Sequence, residues 1–220
     1  MITTVSVTAQ EATIQEIAHW GTATDPAGDC KFAVNDEKLM LTIPGTHHDL
    51  NPGTAFGNNM LAPRVLREAV DHFTLDVTVD PLEYPKPGTS SSSGETRHSC
   101  VGAGLLVWKD EKNFVRFERA VNGDSKNVFI QLEVFVNGEV IYSRGAACND
   151  EPVQLRIVRK GRTFTFFRSD DGKDWKRVAL VQVPLTGQMQ CGVMAVNATT
   201  IEFTPVFSKL TITALGLEQK

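Results

Sequence analysis

The side chains best suited to bind a ligand lie on extended segments in the middle of the chain. They are Trp108, Arg116, Glu118, Gln131 and Glu133. Because side chains alternate between the two faces of a strand, all five point away from their apolar neighbours. An aromatic ring can cover the C–H face of a sugar, while a guanidinium and carboxylates bind its hydroxyls. The pattern predicts a site for a carbohydrate or polar small molecule. The alternative is a ladder of cross-strand ion pairs, with Trp108 packed under a loop.

A second group of candidate residues centres on the tripeptide His47-His48-Asp49. Adjacent side chains of an extended chain point to opposite sides, so at most one histidine can join Asp49 unless the backbone turns sharply. Proline and glycine on both sides of the tripeptide make such a turn possible. Two arrangements are open: a loop whose side chains cap backbone N–H groups, or a rim of His48, Asp49 and Arg64 around the same groove.

The turn between Asp25 and Asp29 is a candidate for a structural calcium site. Calcium takes roughly six to eight oxygen ligands, and this turn alone supplies two carboxylates and some backbone carbonyls. The alternative is a turn closed by aspartate capping. Walker, Gly-x-Ser-x-Gly and His-Glu-x-x-His patterns are absent from the sequence, so no other cofactor is expected.

Period-two alternation of apolar residues predicts the elements that position these side chains. Short strands are expected within 39–43, 73–79, 103–108, 114–119, 128–136, 140–142, 153–158, 163–167, 178–183, 191–196 and 207–212. Turn residues such as Asn137-Gly138 separate them, and no long helix is indicated. Many short strands with one apolar face predict an all-β protein in which two antiparallel sheets pack face to face.

The 220 residues are long enough to bury a core without disulfides. We expect one domain at 20–214, a tail at 215–220, and a flexible loop at about 85–99, where serine, glycine and proline dominate. The segment 1–19 stays unassigned, because Thr8–Glu11 could cap a short helix whereas Ile2–Thr8 could equally form a strand.

Charge and termini restrict the partners and the compartment. A net charge of −4 and a pI near 5.7 provide no basic surface for nucleic acid or an anionic membrane. The chain begins without a signal-peptide pattern and has no apolar run long enough to span a membrane, which indicates a cytoplasmic protein. Its four cysteines share no Cys-x-x-Cys spacing and are expected to be reduced packing residues.

Several sequence blocks, in this order, resemble a known family. They are Trp20–Cys30, Pro44–Leu50, Ala62–Leu66, Gly102–Asp110 and Asn113–Ala120. Together they are similar to the concanavalin A-like family catalogued as domain of unknown function 1349, which includes the fungal "regulation of enolase" protein. The resemblance covers roughly residues 19–214. It implies a lectin/glucanase jelly-roll β-sandwich with a concave sheet that would carry the ligand site.

The family has no settled activity, so three functions stay open. The first is a non-catalytic module that binds a carbohydrate or polar small molecule. The second, suggested by the fungal relative's name, is a protein-interaction or regulatory module of metabolism.

The third is a glycoside hydrolase, in which Glu118 and Glu133 would flank the scissile bond about 5–10 Å apart. Two features argue against it. The chain lacks the Glu-x-Asp-x-x-Glu pattern of related laminarinase-type glucanases. Arg116 beside Glu118 is also expected to lower that carboxyl's pKa, which suits a nucleophile but not a general acid. No catalytic residue is therefore assigned.

Overall fold

The computed structural model describes residues 12–54, 57–91 and 98–216. Within these ranges the chain forms seventeen β-strands and no helix. The strands are β1 Thr13–Ile17, β2 Gly21–Asp25, β3 Lys31–Asn35, β4 Lys38–Thr42, β5 Asn51–Thr54, β6 Gly57–Asn59, β7 Arg64–Ala69, β8 His72–Val79, β9 Cys100–Asp110, β10 Asn113–Asn122, β11 Asn127–Val136, β12 Glu139–Ala147, β13 Val153–Lys160, β14 Thr163–Ser169, β15 Lys176–Gln182, β16 Met189–Asn197 and β17 Val206–Ala214.

Two large antiparallel sheets make up the fold. One has eight strands in the order β1-β2-β7-β16-β9-β10-β11-β12, and the other has seven in the order β15-β14-β13-β8-β17-β4-β3. A small hairpin of β5 and β6 lies outside both sheets. The non-consecutive neighbours in each sheet are crossovers between the two layers, as a jelly-roll sandwich requires. The predicted all-β sandwich of two antiparallel sheets is confirmed.

The main core fills the space between the two sheets. Along β8 the side chains of Phe73, Leu75, Val77 and Val79 are almost fully buried, in agreement with the alternation of the sequence. They pack with Leu105 and its alternate neighbours on the inner face of the eight-stranded sheet. Burial of this continuous apolar layer is the principal stabilising contribution to the sandwich.

A second apolar cluster lies on the outer face of the eight-stranded sheet. Its members are Leu50, Ala62, Leu66, Leu106, Trp108, Phe114, Phe135, Met194 and Val196. Three aromatic rings form its centre, with Trp108 and Phe114 stacked at 5.4 Å and Phe114 and Phe135 at 4.4 Å between ring centroids. Leu50 and Ala62 come from the segment 43–63, on either side of the β5–β6 hairpin, so the described part of this segment covers this end of the outer face.

Four segments that the sequence analysis distinguished fall partly or wholly outside the described residues. The alternative structures at Ile2–Thr8 and Thr8–Glu11 lie outside them, as do 92–97 of the loop 85–99 and 217–220 of the tail. The strand β1 occupies part of the unassigned segment 1–19 and pairs with β2. At the described ends of the loop, the Asp124 carboxylate accepts hydrogen bonds from the backbone N–H groups of Gly88 and Ser99.

The four cysteines Cys30, Cys100, Cys148 and Cys191 are free thiols, as predicted. No helix in the described part of the chain is long and apolar enough to cross a membrane.

Candidate functional site

The candidate site lies on the outer face of the eight-stranded sheet, beside the second apolar cluster. The strand register arranges its polar residues in two cross-strand pairs. Arg116 on β10 lies opposite Glu133 on β11, and Glu118 lies opposite Gln131. On the other side of β10, Glu118 lies opposite Gly104 of β9, so no side chain flanks the second pair there. The alternation that buries Val115 and Phe117 in the core therefore places these polar side chains together on the other face.

Arg116 is the centre of an ion-pair network with three carboxylates. Its Nε donates a hydrogen bond to Glu133 Oε2 at 2.7 Å, and its Nη1 donates one to Asp49 Oδ1 at 2.7 Å. Glu118 Oε1 lies 3.8 Å from Nε. Burial alone would lower the pKa of Arg116, but the charges of Asp49, Glu118 and Glu133 outweigh it and raise that pKa. The guanidinium is therefore permanently charged and held in one orientation.

Glu118 is the most unusual group in this network. Its residue surface is 4% exposed, and its Oε2 is buried without a hydrogen-bond partner. Burial raises the pKa of its carboxyl to about 7, and the lowering effect of Arg116 is offset by the charges of Glu133 and Asp49. Arg116 does lower this pKa, as expected, but desolvation has the larger effect, so the expected net lowering is wrong. Near neutral pH, Glu118 is present in both its protonated and its ionised forms.

A cavity of about 290 Å³ opens beside these groups. It is lined by Asp49, Cys100, Gly102, Arg116, Glu118, Ala120, Phe129, Gln131, Glu133, Val196 and Ala198. The Gln131 amide donates hydrogen bonds to Glu133 Oε1 and to Ser143 Oγ, each at 3.1 Å, which leaves its carbonyl oxygen available to a ligand. Three carboxyl groups, an amide and a guanidinium thus line one cavity.

The ring of Phe129 supplies the apolar wall of this cavity and was not among the predicted site residues. It is half-buried and lies on β11 opposite Ala120, whose small side chain leaves the ring uncovered on that side. The signal was present in the sequence, because Phe129 is two residues from Gln131 and four from Glu133 and so shares their face.

Trp108 and Arg64 belong to a different part of the outer face. Trp108 is 8% exposed, lies within the second apolar cluster, and has the Arg64 guanidinium 4.4 Å from its ring centroid. Neither residue lines the cavity. The structure therefore corrects the grouping of Trp108 with Arg116: both point to the outer face, but the chain 43–63 covers the tryptophan, as the alternative interpretation proposed.

The adjacent residues His48 and Asp49 have different roles. Asp49 reaches Arg116 and lines the cavity, as the rim hypothesis predicted. His48 is buried and points away, with Nε2 2.9 Å from Asp29 Oδ1 and Nδ1 3.0 Å from the Thr46 carbonyl oxygen. It therefore does not rim the cavity. The separation follows from the opposite orientation of adjacent side chains.

The Asp25–Asp29 turn does not fit a calcium ion. Asp25 is fully buried, and its two oxygens accept hydrogen bonds from the backbone N–H groups of Ala27 and Cys30 at 3.1 and 2.7 Å. Asp29 instead contacts His48 and the thiol of Cys30. Calcium requires a shell of oxygen ligands, whereas one imidazole and one thiol occupy the space around Asp29. Asp25 is a turn-capping residue, which was the alternative interpretation.

Two glycines of β9 leave room for the Glu118 side chain, and substituting them should have different effects. A Cβ on Gly102 would lie 2.6 Å from Glu118 Oε2, the movable end of a side chain, whereas one on Gly104 would collide with the backbone of Phe117 and Glu118. We expect Gly104→Ala to lower the free energy of unfolding by about 1–3 kcal/mol, the usual effect of overpacking. Gly102→Ala should cost less, because it displaces the Glu118 carboxyl into the cavity.

Urea unfolding and a carbon-13 NMR titration of the Glu118 carboxyl measure the two effects. Gly145→Ala is the matched control, since the atom nearest to its added Cβ lies 3.7 Å away. Equal stability of the Gly104→Ala and Gly145→Ala proteins would contradict the argument. An unchanged Glu118 titration in Gly102→Ala would also contradict it.

Comparisons with solved structures agree with this fold. The crystal structure of a functionally unknown protein from Saccharomyces cerevisiae matches with a TM-score of 0.68 at 19% identity, over 96% of this chain and 100% of the yeast chain. The GH43 BlXynB protein from Bacillus licheniformis matches with a TM-score of 0.58 at 13% identity. This match covers 84% of this chain and 38% of the Bacillus chain. A legume lectin-like domain from Entamoeba histolytica gives 0.56 at 9% identity, over 85% and 88% of the two chains.

At these identities the structural likeness establishes the fold alone. No curated protein matches the chain. The family model described as "Protein of unknown function (DUF1349)" matches residues 89–215, more than half of the sequence and including the strands that carry Arg116, Glu118 and Glu133. The chain therefore belongs to the DUF1349 family, whose resemblance the ordered sequence blocks had indicated.

Proposed function

We propose that this chain is a non-catalytic binding module that holds a neutral carbohydrate in the outer-face cavity. The observation that carries the proposal is Glu118 Oε2, a buried polar atom without a partner at the wall of an open cavity. An unsatisfied buried acceptor costs about 1–3 kcal/mol. A ligand hydroxyl that hydrogen-bonds to Glu118 would recover this free energy, and sugars provide such hydroxyls.

The charges around the cavity select against anionic ligands. With Glu118 protonated, the carboxylates of Asp49 and Glu133 still outnumber the single guanidinium of Arg116. The cavity therefore carries a net negative charge, which repels uronates and phosphates. A neutral polyhydroxylated ring can accept from Arg116, donate to the carboxylates and place its C–H face on Phe129.

The size of the cavity favours a short ligand. Its volume of about 290 Å³ is just below the roughly 300–1,000 Å³ that is usual for small-molecule sites. One or two sugar rings fit this volume better than a long polysaccharide. The shared fold with a legume lectin-like domain is consistent with such a role.

A glycoside hydrolase is the second candidate, and the raised pKa of Glu118 is the observation that favours it. A carboxyl that stays protonated near neutral pH can act as a general acid. However, Arg116 Nε lies 2.7 Å from Glu133 and 3.8 Å from Glu118, so the guanidinium occupies the space between the two carboxyl groups. A scissile bond or a water molecule would need that space, and binding without turnover is therefore the better proposal.

Isothermal titration calorimetry tests the proposal. The ligands are glucose, galactose, mannose, xylose, N-acetylglucosamine, their common disaccharides and glucuronate. We expect at least one neutral sugar to bind with a Kd below about 1 mM, and glucuronate not to bind. Phe129→Ala should abolish this binding. Phe167→Ala, which removes a half-buried ring from the seven-stranded sheet, is the matched control and should not.

Three results would count against the proposal. Absence of binding across the panel would overturn it, and so would equal binding by the Phe129→Ala protein. Release of reducing sugar from a bound disaccharide, lost in Glu118→Gln, would establish the hydrolase instead.

A further inference from the structure

Three side chains of the types that can ligate a metal meet where the turn after β2 approaches the covering chain 43–63. Asp29 and Cys30 end the turn that follows β2, and His48 belongs to the covering chain. Their candidate ligand atoms, a carboxylate oxygen, a sulfur and an imidazole nitrogen, all lie within 4.8 Å of one another. Neither the proposed sugar site nor the core packing requires this convergence.

The hydrogen bonds of His48 fix the orientation of its ring toward Asp29. Nδ1 lies 3.0 Å from the carbonyl oxygen of Thr46 and 3.3 Å from Thr46 Oγ1, and Nε2 lies 2.9 Å from Asp29 Oδ1. Either ring nitrogen can carry the proton in this arrangement, so Nε2 can donate to Asp29 or present its lone pair to a cation. A carbonyl bond at the other nitrogen is the usual way to orient a ligating histidine.

Cys30 makes a metal ion a better occupant of this space than a proton. A proton would join only Nε2 and Asp29, whereas the Cys30 sulfur lies 3.7 Å from the same Oδ1 and is a third donor. Coordination by all three atoms requires the thiolate form of Cys30.

The donor set and spacing suit zinc. Zinc binds nitrogen, sulfur and carboxylate oxygen in tetrahedral geometry at about 2.0–2.3 Å, which separates adjacent ligand atoms by about 3.4–3.6 Å. The observed separations are 2.9 Å between nitrogen and oxygen and 3.7 Å between sulfur and oxygen. The nitrogen–oxygen separation is shorter than this spacing and the sulfur–oxygen separation slightly longer, and the Asp29 side chain, which is 31% exposed, has room to move.

We propose that Asp29, Cys30 and His48 bind one divalent metal ion of the zinc class, with solvent as the fourth ligand. The ion joins the turn after β2 to the covering chain, next to the residue Asp49 that pairs with Arg116. It thereby stabilises the segment that closes one end of the cavity. Binding proceeds with release of the Cys30 proton to solvent.

Two measurements under reducing conditions test the proposal. One is competition for zinc with a chromophoric chelator, and the other is the absorption spectrum of the protein with cobalt(II). We expect one zinc per chain, a rise in Tm with zinc, and a sulfur-to-cobalt charge-transfer band. Cys30→Ser should abolish the band, and Asp29→Asn should weaken zinc binding by more than the roughly tenfold effect of an outer-shell change. Cys148→Ser, a partly buried cysteine elsewhere in the core, is the matched control and should keep all three properties.

The variants separate this site from other zinc-binding residues. Because His48 is buried, His48→Gln is interpreted only alongside the more conservative Cys30→Ser and Asp29→Asn proteins. Failure to retain zinc in competition with the chelator would overturn the proposal. Stoichiometric zinc with an intact cobalt band in Cys30→Ser would also overturn it, since the metal would then lie elsewhere. Sugar binding is measured separately, so neither proposal depends on the other.

Discussion

Glu118→Gln is expected to make the protein more stable at alkaline pH and to remove part of its pH dependence. The folded protein holds the Glu118 proton up to about pH 7, whereas the ordinary pKa of this carboxyl is 4.5. Between these values the folded state binds more protons than the unfolded chain, so its free energy of unfolding falls as pH rises. The shift corresponds to a loss of about 3 kcal/mol by pH 8. Glutamine keeps the shape of the protonated acid and cannot ionise.

Urea unfolding of both proteins at several pH values between 5 and 8 measures this effect. At pH 5 the two proteins should differ by less than about 1 kcal/mol, and the advantage of Glu118→Gln should grow to about 3 kcal/mol at pH 8. Glu111→Gln, at an exposed position of the β9–β10 turn, is the control and should follow the wild type. A stability difference that does not change with pH would show that Glu118 titrates normally.

The sequence alone predicted most of the strands because alternation is a local property. The segments from 39–43 to 207–212 all correspond to strands, and in most of them one face is buried between the sheets. The strand β12 is an exception, because Val140 and Ile141 are exposed. Alternation fails where both faces are covered. In β7, for example, Val65 packs in the main core and its neighbour Leu66 in the second cluster. The edge strand β1 is almost entirely exposed, so it has no apolar face to detect.

The site was predicted only in part, for a related reason. The alternation of side chains along each strand placed Arg116, Glu118 and Glu133 on one face, and the strand register puts Arg116 opposite Glu133. Alternation does not predict which part of a face a distant segment will cover. The chain 43–63 buries Trp108 and brings Asp49 to Arg116, and both outcomes depend on contacts about 50 to 70 residues apart in the sequence. The pKa of Glu118 depends on the same three-dimensional burial.

Arg116→Met is expected to cause the largest loss of stability at this site, about 3–5 kcal/mol at pH 8, as for other buried ion pairs that lose one partner. Methionine fills a similar volume but leaves the carboxylates of Asp49, Glu118 and Glu133 facing one another without a cation. All three side chains are largely buried, so water screens their repulsion poorly. Thermal and urea unfolding measure the loss.

The pH dependence of this loss identifies its cause. Protonation of Glu118, whose pKa is raised by burial, removes its part of the repulsion, so the loss in Arg116→Met should be smaller at pH 5 than at pH 8. The double variant Arg116→Met/Glu118→Gln has one ionisable carboxyl fewer and should recover part of the stability at pH 8. Arg144→Met, at an exposed position of β12, is the control and should change stability by less than about 0.5 kcal/mol. A loss in Arg116→Met that is the same at both pH values would mean that side-chain packing, not charge, is the main contribution of Arg116.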